Sequence, residues 1–265
     1  MECNNHDWEI KIRNDLTRTS KIFNFFLYGY LGITTESTKD DILNAVIKKA
    51  YQDAARHVLS ISEEAVKESK KEAAIQLIKE SLNALVEHDD MDFDCWHRKL
   101  CEKLCNSYKD CQYNNGRSFT VGISQKLVNM TLKYIYLLYC WCENDGEGAF
   151  EDSDFIEEIS NMCSTYRTKF HIPLDSYIFK AIKASPNEPL RINGNEENIC
   201  GLGIDRNNYI SSNWSKIDDY DDYINYQFAI RESELFKTEE ARRLCYGPID
   251  WEISAWIQQS IKEKK

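Results

Sequence analysis

The chain has 265 residues, 33 basic and 44 acidic, with 42% apolar residues, 12% aromatic residues, 10 Gly and 4 Pro. That length fits one large domain or two small ones, and the apolar content is enough to build a core and exclude a disordered chain. A net charge of −11 excludes indiscriminate coating of nucleic acid, because phosphate contacts need Lys and Arg.

Between Ile33 and Asn115 there is neither Gly nor Pro, the two strongest helix breakers. This half therefore reads as successive helices. The first is expected from about Trp8 to Tyr30. Thr38 and Asp41 form a capping-box-like start for the second, in which Ile42, Val46, Ala50, Ala54 and Val58 recur at helical spacing. A third runs from Glu63 to Val86, and a shorter one carries Trp96, Leu100 and Leu104. Asn114-Asn115-Gly116 supplies turn chemistry, because Asn and Gly tolerate positive φ. After a second turn at Gly122, residues 123–142 form the most apolar helix of the chain. An acidic connection, 144–154, leads to a helix through Ile156, Ile159 and Met162. Pro173 suits the first turn of the next, LDSYIFKAIK. Residues 185–213, with two Pro and three Gly, read as a long irregular insertion. Helices over about 218–235 and 249–263 close the chain.

The expectation is an all-α fold: one compact domain, 1–265, of eight to ten helices, with 1–92 and 93–265 as its natural subdivision. The longest apolar run, Tyr134 to Cys142, falls well short of the roughly 20 residues of a membrane span, so no membrane partner is expected. MECNNHDWEIKIRN lacks the basic start and apolar run of a secretion signal. With ten cysteines, that predicts reduced thiols in a cytoplasmic protein rather than a disulfide framework.

Charge is unevenly distributed. From Cys95 to Ile135, Arg98, Lys99, Lys103, Lys109, Arg117, Lys126 and Lys133 outweigh Glu102 and Asp110. A local positive island on an acidic protein suits one anionic ligand or a short nucleic-acid segment. Within the apolar helix Lys126 and Lys133 are the only charges, two turns apart on one face, with Asn129 and Met130 between them. Lys126 lies one turn from the helix start, where desolvation and the helix dipole both disfavour an ammonium. A neutral lysine amine is a nucleophile toward carbonyl and sugar carbons. In HIPLDS, Asp175 occupies the first turn of its helix, where free N–H groups favour an ionised carboxylate able to stabilise a developing cation. His97, Cys101 and Cys105 lie along one helix line, but positions eight apart are about 12 Å apart by helix rise, too far to share one metal ion. No metal or other cofactor is expected.

The turn SFTVGISQK with its following helix, and later PLDSYIF, resemble the helix-hairpin-helix DNA glycosylase superfamily over residues 117–180. The family hairpin carries two glycines where this chain has Gly122 alone. The resemblance implies a DNA partner, with Lys126 as the nucleophile attacking the sugar C1′ and Asp175 as the assisting acid. It implies Gly122 at the hairpin, Arg117 and Ser118 beside the phosphates, and Asn129 and Lys133 on the nucleic-acid face. Trp141, Trp214 and Tyr134 would then supply rings for a base flipped out of the duplex. The competing expectation is a non-catalytic helical module whose island serves a protein or nucleotide partner.

Overall fold

The computed structural model describes residue 25 and residues 27–55, 59–88, 90–114, 118–145, 150–179, 214–231 and 247–263. Within them the protein is all-α, as expected, and the described residues contain no strand, only an isolated antiparallel bridge between Ile61 and Tyr113. A π-helical turn, Leu27–Leu31, precedes α1 (Lys39–Ala55), α2 (Glu64–Glu87), α3 (Phe93–Ser107), α4 (Val121–Asp145), α5 (Ser153–Tyr166), α6 (Tyr220–Arg231) and α7 (Pro248–Glu263). Short 3-10 turns lie at Arg167–Lys169 and Trp214–Lys216. The expected insertion at 185–213 and most of the Trp8–Tyr30 helix fall outside the described residues.

The helix starts follow from local side-chain chemistry. Thr38 Oγ1 accepts from Asp41 N, while the Asp41 carboxylate accepts from the Thr38 hydroxyl at 2.7 Å, so two residues satisfy each other's polar groups at the head of α1. Asp92 Oδ1 caps α3 by accepting from Cys95 N at 2.9 Å. Asp152 serves two helices: Oδ1 caps α5 through Phe155 N, and Oδ2 accepts from Lys39 N at the start of α1. These backbone donors hold the Asp152 carboxyl below its usual range.

α4 is the central element. Leu127, Val128, Leu132, Ile135, Tyr136 and Leu138 are all buried, and one apolar core runs from Leu27 through to Ile249. α1 packs on α4, and Ile42, Val46, Ala50 and Ala54 of the stripe its sequence spacing predicts are buried; Val58, its last member, lies outside the described residues. α3 and α5 pack on further sides of α4. With α4 so enclosed, Leu127→Ala would cost about 2–5 kcal/mol.

Two local expectations are corrected. Gly122 does not end a turn; it lies inside the first turn of α4, which begins at Val121 under the cap of Thr120 Oγ1. A Cβ at Gly122 would collide with the Trp214 carbonyl, so the missing side chain lets the 214–217 segment lie on the helix start. Gly122 N donates to Ile217 O at 2.8 Å there. Pro173, in turn, sits in an extended, buried segment (170–175), and helical structure begins only at residue 176.

Candidate functional site

Buried extended chain has backbone groups that must find partners. Here side-chain amides supply them. Gln227 on α6 accepts from Ile172 N and donates to Ile172 O, both at 3.0 Å. Gln125 on α4 likewise accepts from Leu174 N at 3.2 Å and donates to Leu174 O at 3.1 Å. Each glutamine thus pairs with the N–H and the C=O of one residue, as a neighbouring strand would. Asn129 Nδ2 adds a bond to Ile172 O at 3.2 Å.

This clamp fixes Asp175, the residue at which the segment turns into helix. Asp175 Oδ1 accepts from Tyr177 N and Ile178 N, each at 3.0 Å, so it is the N-cap of the turn at 176–179. Its other oxygen, Oδ2, lies 3.4 Å from Lys126 Nζ. The side chains of Lys126 and Asp175 are 12% and 8% exposed, so the pair sits at the margin of the core rather than in bulk water. Lys126 Nζ also lies 4.5 Å from the centroid of the Trp214 ring, a cation–π contact. Trp256 Nε1 on α7 donates to Asp175 Oδ2 at 3.3 Å, and its ring meets Tyr177 edge-on at 5.3 Å. The sequence pair is therefore brought together, with an indole in contact with each member.

Lys133, two turns further along α4, points at the same helix α7. Its Nζ lies 3.0 and 3.1 Å from the two carboxylate oxygens of Glu252. Glu252 is fully buried. Burial pushes its carboxyl up to about 7, with the Lys133 ammonium working in the opposite direction.

Behind the extended segment lies a buried polar network. His97 Nε2 lies 2.9 Å from Asn129 Oδ1, an acceptor, so this nitrogen carries the proton and Nδ1 accepts from the Tyr220 hydroxyl at 2.7 Å. His171 follows the same logic: Nε2 donates to Asp94 Oδ1 and Nδ1 accepts from the Tyr223 hydroxyl, both at 2.7 Å. Arg231 clamps Asp94 with two bonds of 2.8 Å. Burial, the larger cause, lowers both imidazoles, His97 well below its ordinary value and His171 to about 4. Asp94 moves the other way from what its burial alone would do. Burial works against its carboxylate, but bonds from His171 and Arg231 outweigh that and hold it well below the usual range.

The remaining expected site residues are dispersed. Asn129 is buried and engaged with His97, Gln125, Ile172 and Tyr223, and Lys133 faces Glu252. Tyr134 is buried against α1, its hydroxyl donating to Asp53 and lying 3.0 Å from the Tyr30 hydroxyl. Trp141 packs on the core 15 residues along α4 from Lys126, roughly 22 Å away by helix rise. Only Trp214 of the three expected rings adjoins the lysine. Ser118 is exposed just ahead of α4, and Arg117 lies outside the described residues. Of the basic island, Lys99, Lys103 and Lys109 are exposed, while Arg98 pairs with Asp221. His97 has both ring nitrogens occupied within the protein, and among the described residues no group of three His, Cys, Asp or Glu side chains is arranged to hold a metal.

Sequence reasoning missed Glu252, Trp256 and the Asp94–His171–Arg231 cluster. Glu252 left one readable trace: it falls three residues after Ile249 and four before Trp256, on one face of α7, and α4 carries Lys126 and Lys133 on one face. No family model, no curated protein and no solved structure matches the chain.

Proposed function

We propose that the protein binds nucleic acid and acts on it through Lys126, in the manner of a lysine-dependent glycosylase on a damaged base. The observation that carries this reading is the 3.4 Å separation of Lys126 Nζ and Asp175 Oδ2 at the margin of the core, with Trp214 against the lysine and Trp256 against the carboxylate. Both groups lie within reach of one sugar ring. In the reaction the Lys126 amine, having lost a proton to water, bonds the sugar C1′ as the bond to the base breaks, and the base leaves with the bonding electron pair and takes up a proton from water. Asp175 stabilises the positive charge that develops on the sugar, and ring opening leaves an imine. For this the ion pair must open and Trp256 must yield its place on Asp175. Lys99, Lys103 and Lys109 are the exposed cations available for phosphate contact.

The test is borohydride trapping on DNA containing an abasic site. A covalent adduct that disappears in Lys126→Ala is the expected result. No adduct with the wild-type chain overturns the enzymatic reading.

A second reading has its own support. Lys126, Lys133 and Asn129 each have internal partners, and Trp256 already occupies the carboxylate of Asp175. That arrangement suits a non-catalytic helical module that binds a protein or nucleotide partner. Absence of an adduct together with absence of salt-dependent DNA binding at low ionic strength would favour it.

A further inference from the structure

Among the described residues, helix α7 meets the rest of the protein through three polar contacts, one close backbone approach and the packing of Ile249, Trp251, Ile253 and Ala255 on the core. Tyr136 on α4 donates to Asp250 at 2.5 Å, Lys133 on α4 pairs with Glu252, and Trp256 donates to Asp175. At the head of α7, Gly247 lies against the backbone of Arg167 and Thr168, where a Cβ would be 3.0 Å from the Arg167 carbonyl. Ile249 is buried beside these contacts. The far face is unlike the near one: Ile257 and Ile261 are about half exposed, whereas Ile249 is buried and Trp251, Ile253 and Ala255 pack on the core, so the docked face of α7 combines apolar anchors with buried charge.

Glu252 is the pivot of that arrangement. It is fully buried, with Lys133 and Lys126 facing it from α4 and Asp175 from the extended segment. On α7 itself the nearest acid is Asp250, whose surroundings include Tyr136 and Arg167. Seating α7 takes the Glu252 carboxylate out of water, and desolvating a charge is costly unless its partner compensates in full. Its neutral form loses less on burial and still accepts hydrogen bonds from the Lys133 ammonium.

We propose that α7 is a self-cover over the Lys126–Asp175 pair, seated by the Lys133–Glu252 contact and loosened as pH rises. The direction follows from linkage. A carboxyl held at about 7 when docked, against its ordinary value near 4.3, binds its proton more tightly docked than free. Docking is therefore favoured in mild acid and weakens as pH rises through about 7. Asp250, also raised by burial, adds to the same direction. When α7 lifts, Trp256 leaves Asp175 and the pair gains access to solvent. This holds whether or not Lys126 is a nucleophile.

Hydrogen exchange on the full chain at pH 5.5 and 8.5, corrected for intrinsic exchange and referred to α1, reads the seating of α7. Protection of residues 248–263 should fall roughly thirtyfold between the two pH values. In Glu252→Gln the change should shrink below about threefold, with the helix held at the acid-side level. A second readout works at one pH: at 8.5, acetylation of Lys126 by acetic anhydride should run at least ten times faster in the wild-type chain than in Glu252→Gln. Flat protection in the wild type, loosening toward acid, or full pH dependence surviving in Glu252→Gln overturns the device. Equal Lys126 labelling overturns the covering role even if the pH effect stands. Should Glu252→Gln fail to fold, the wild-type exchange profile alone decides the direction.

Discussion

The side chain of Gln227 holds the N–H and the C=O of Ile172, each at 3.0 Å, across 55 residues of sequence. It is the sole described partner of Ile172 N, whereas Ile172 O has Asn129 as a second donor. Removing the amide while keeping the volume, as in Gln227→Leu, leaves a buried N–H unpaired. The expected loss is about 1–3 kcal/mol of unfolding free energy in urea titration. A change below about 0.5 kcal/mol would mean that the segment finds its partners elsewhere.

The two buried imidazoles make the fold acid-sensitive, and the sign can be worked out. Both are lowered in the folded state, so the unfolded chain binds more protons between pH 6.5 and 4. Their stabilising share is complete above about 6.5 and falls with pH below it; that of His171, about 3 kcal/mol, is lost as pH falls through about 4. Glu252 works against this, since its raised value contributes stability in acid that is lost as pH rises through about 7. Around pH 5.5 the two histidines are opposed by Glu252 and Asp250, which leaves a shallow net slope. In Glu252→Gln the larger opposing proton uptake is gone, and the fall of stability with acid should steepen by up to about twofold. Urea midpoints at pH 5, 5.5 and 6 measure this, and parallel slopes in the two proteins would contradict it.

How much of this could be read beforehand depends on the range of the interaction. The helices were legible because their signals are local: the Gly- and Pro-free stretch, the Thr38–Asp41 box, the stripe of α1. The fate of Pro173 was not, although Pro at a first helical turn is sound chemistry. What keeps 170–175 extended is a pair of glutamines 49 and 55 residues away, and nothing near the proline announces them. Lys126 and Asp175 were picked out separately for their helix-end positions, yet their 3.4 Å contact depends on that same distant clamp. Glu252 is 119 residues from Lys133. A buried acid is visible in sequence only as a break in an apolar stripe, and its counter-ion is not visible at all.

Gly122 offers a test of why the chain lacks a side chain at a helix start. Ala is better than Gly inside a helix by about 1 kcal/mol, so propensity alone predicts that Gly122→Ala stabilises. The added methyl, however, would meet the Trp214 backbone, which cannot swing aside as a side chain would. Segment 214–217 must then move off α4, breaking the Gly122–Ile217 bond and withdrawing the indole from Lys126. We expect a net loss of about 1–3 kcal/mol and a shifted tryptophan emission. Stabilisation with unchanged emission would show that the segment is not seated there.

Asp175 has two separable jobs, and two substitutions divide them. Its Oδ1 caps the turn at 176–179, and its Oδ2 faces Lys126 and Trp256. Asn is as good a cap as Asp, so Asp175→Asn keeps the backbone bonds while removing the charge beside Lys126. Asp175→Ala removes both. If the carboxylate matters chiefly as a cap, the asparagine variant should unfold within about 0.5 kcal/mol of the wild type, and the alanine variant about 1 kcal/mol or more below it. If its charge is what holds Lys126 in place, Asp175→Asn should itself lose stability, since a lysine would be left partly buried without a counter-ion. The 8% exposure of Asp175 and the 12% of Lys126 favour the second outcome. On abasic-site DNA the same pair separates structure from chemistry: an asparagine variant that folds normally but loses the borohydride adduct assigns the carboxylate a part in the reaction, whereas an undiminished adduct leaves it only the cap.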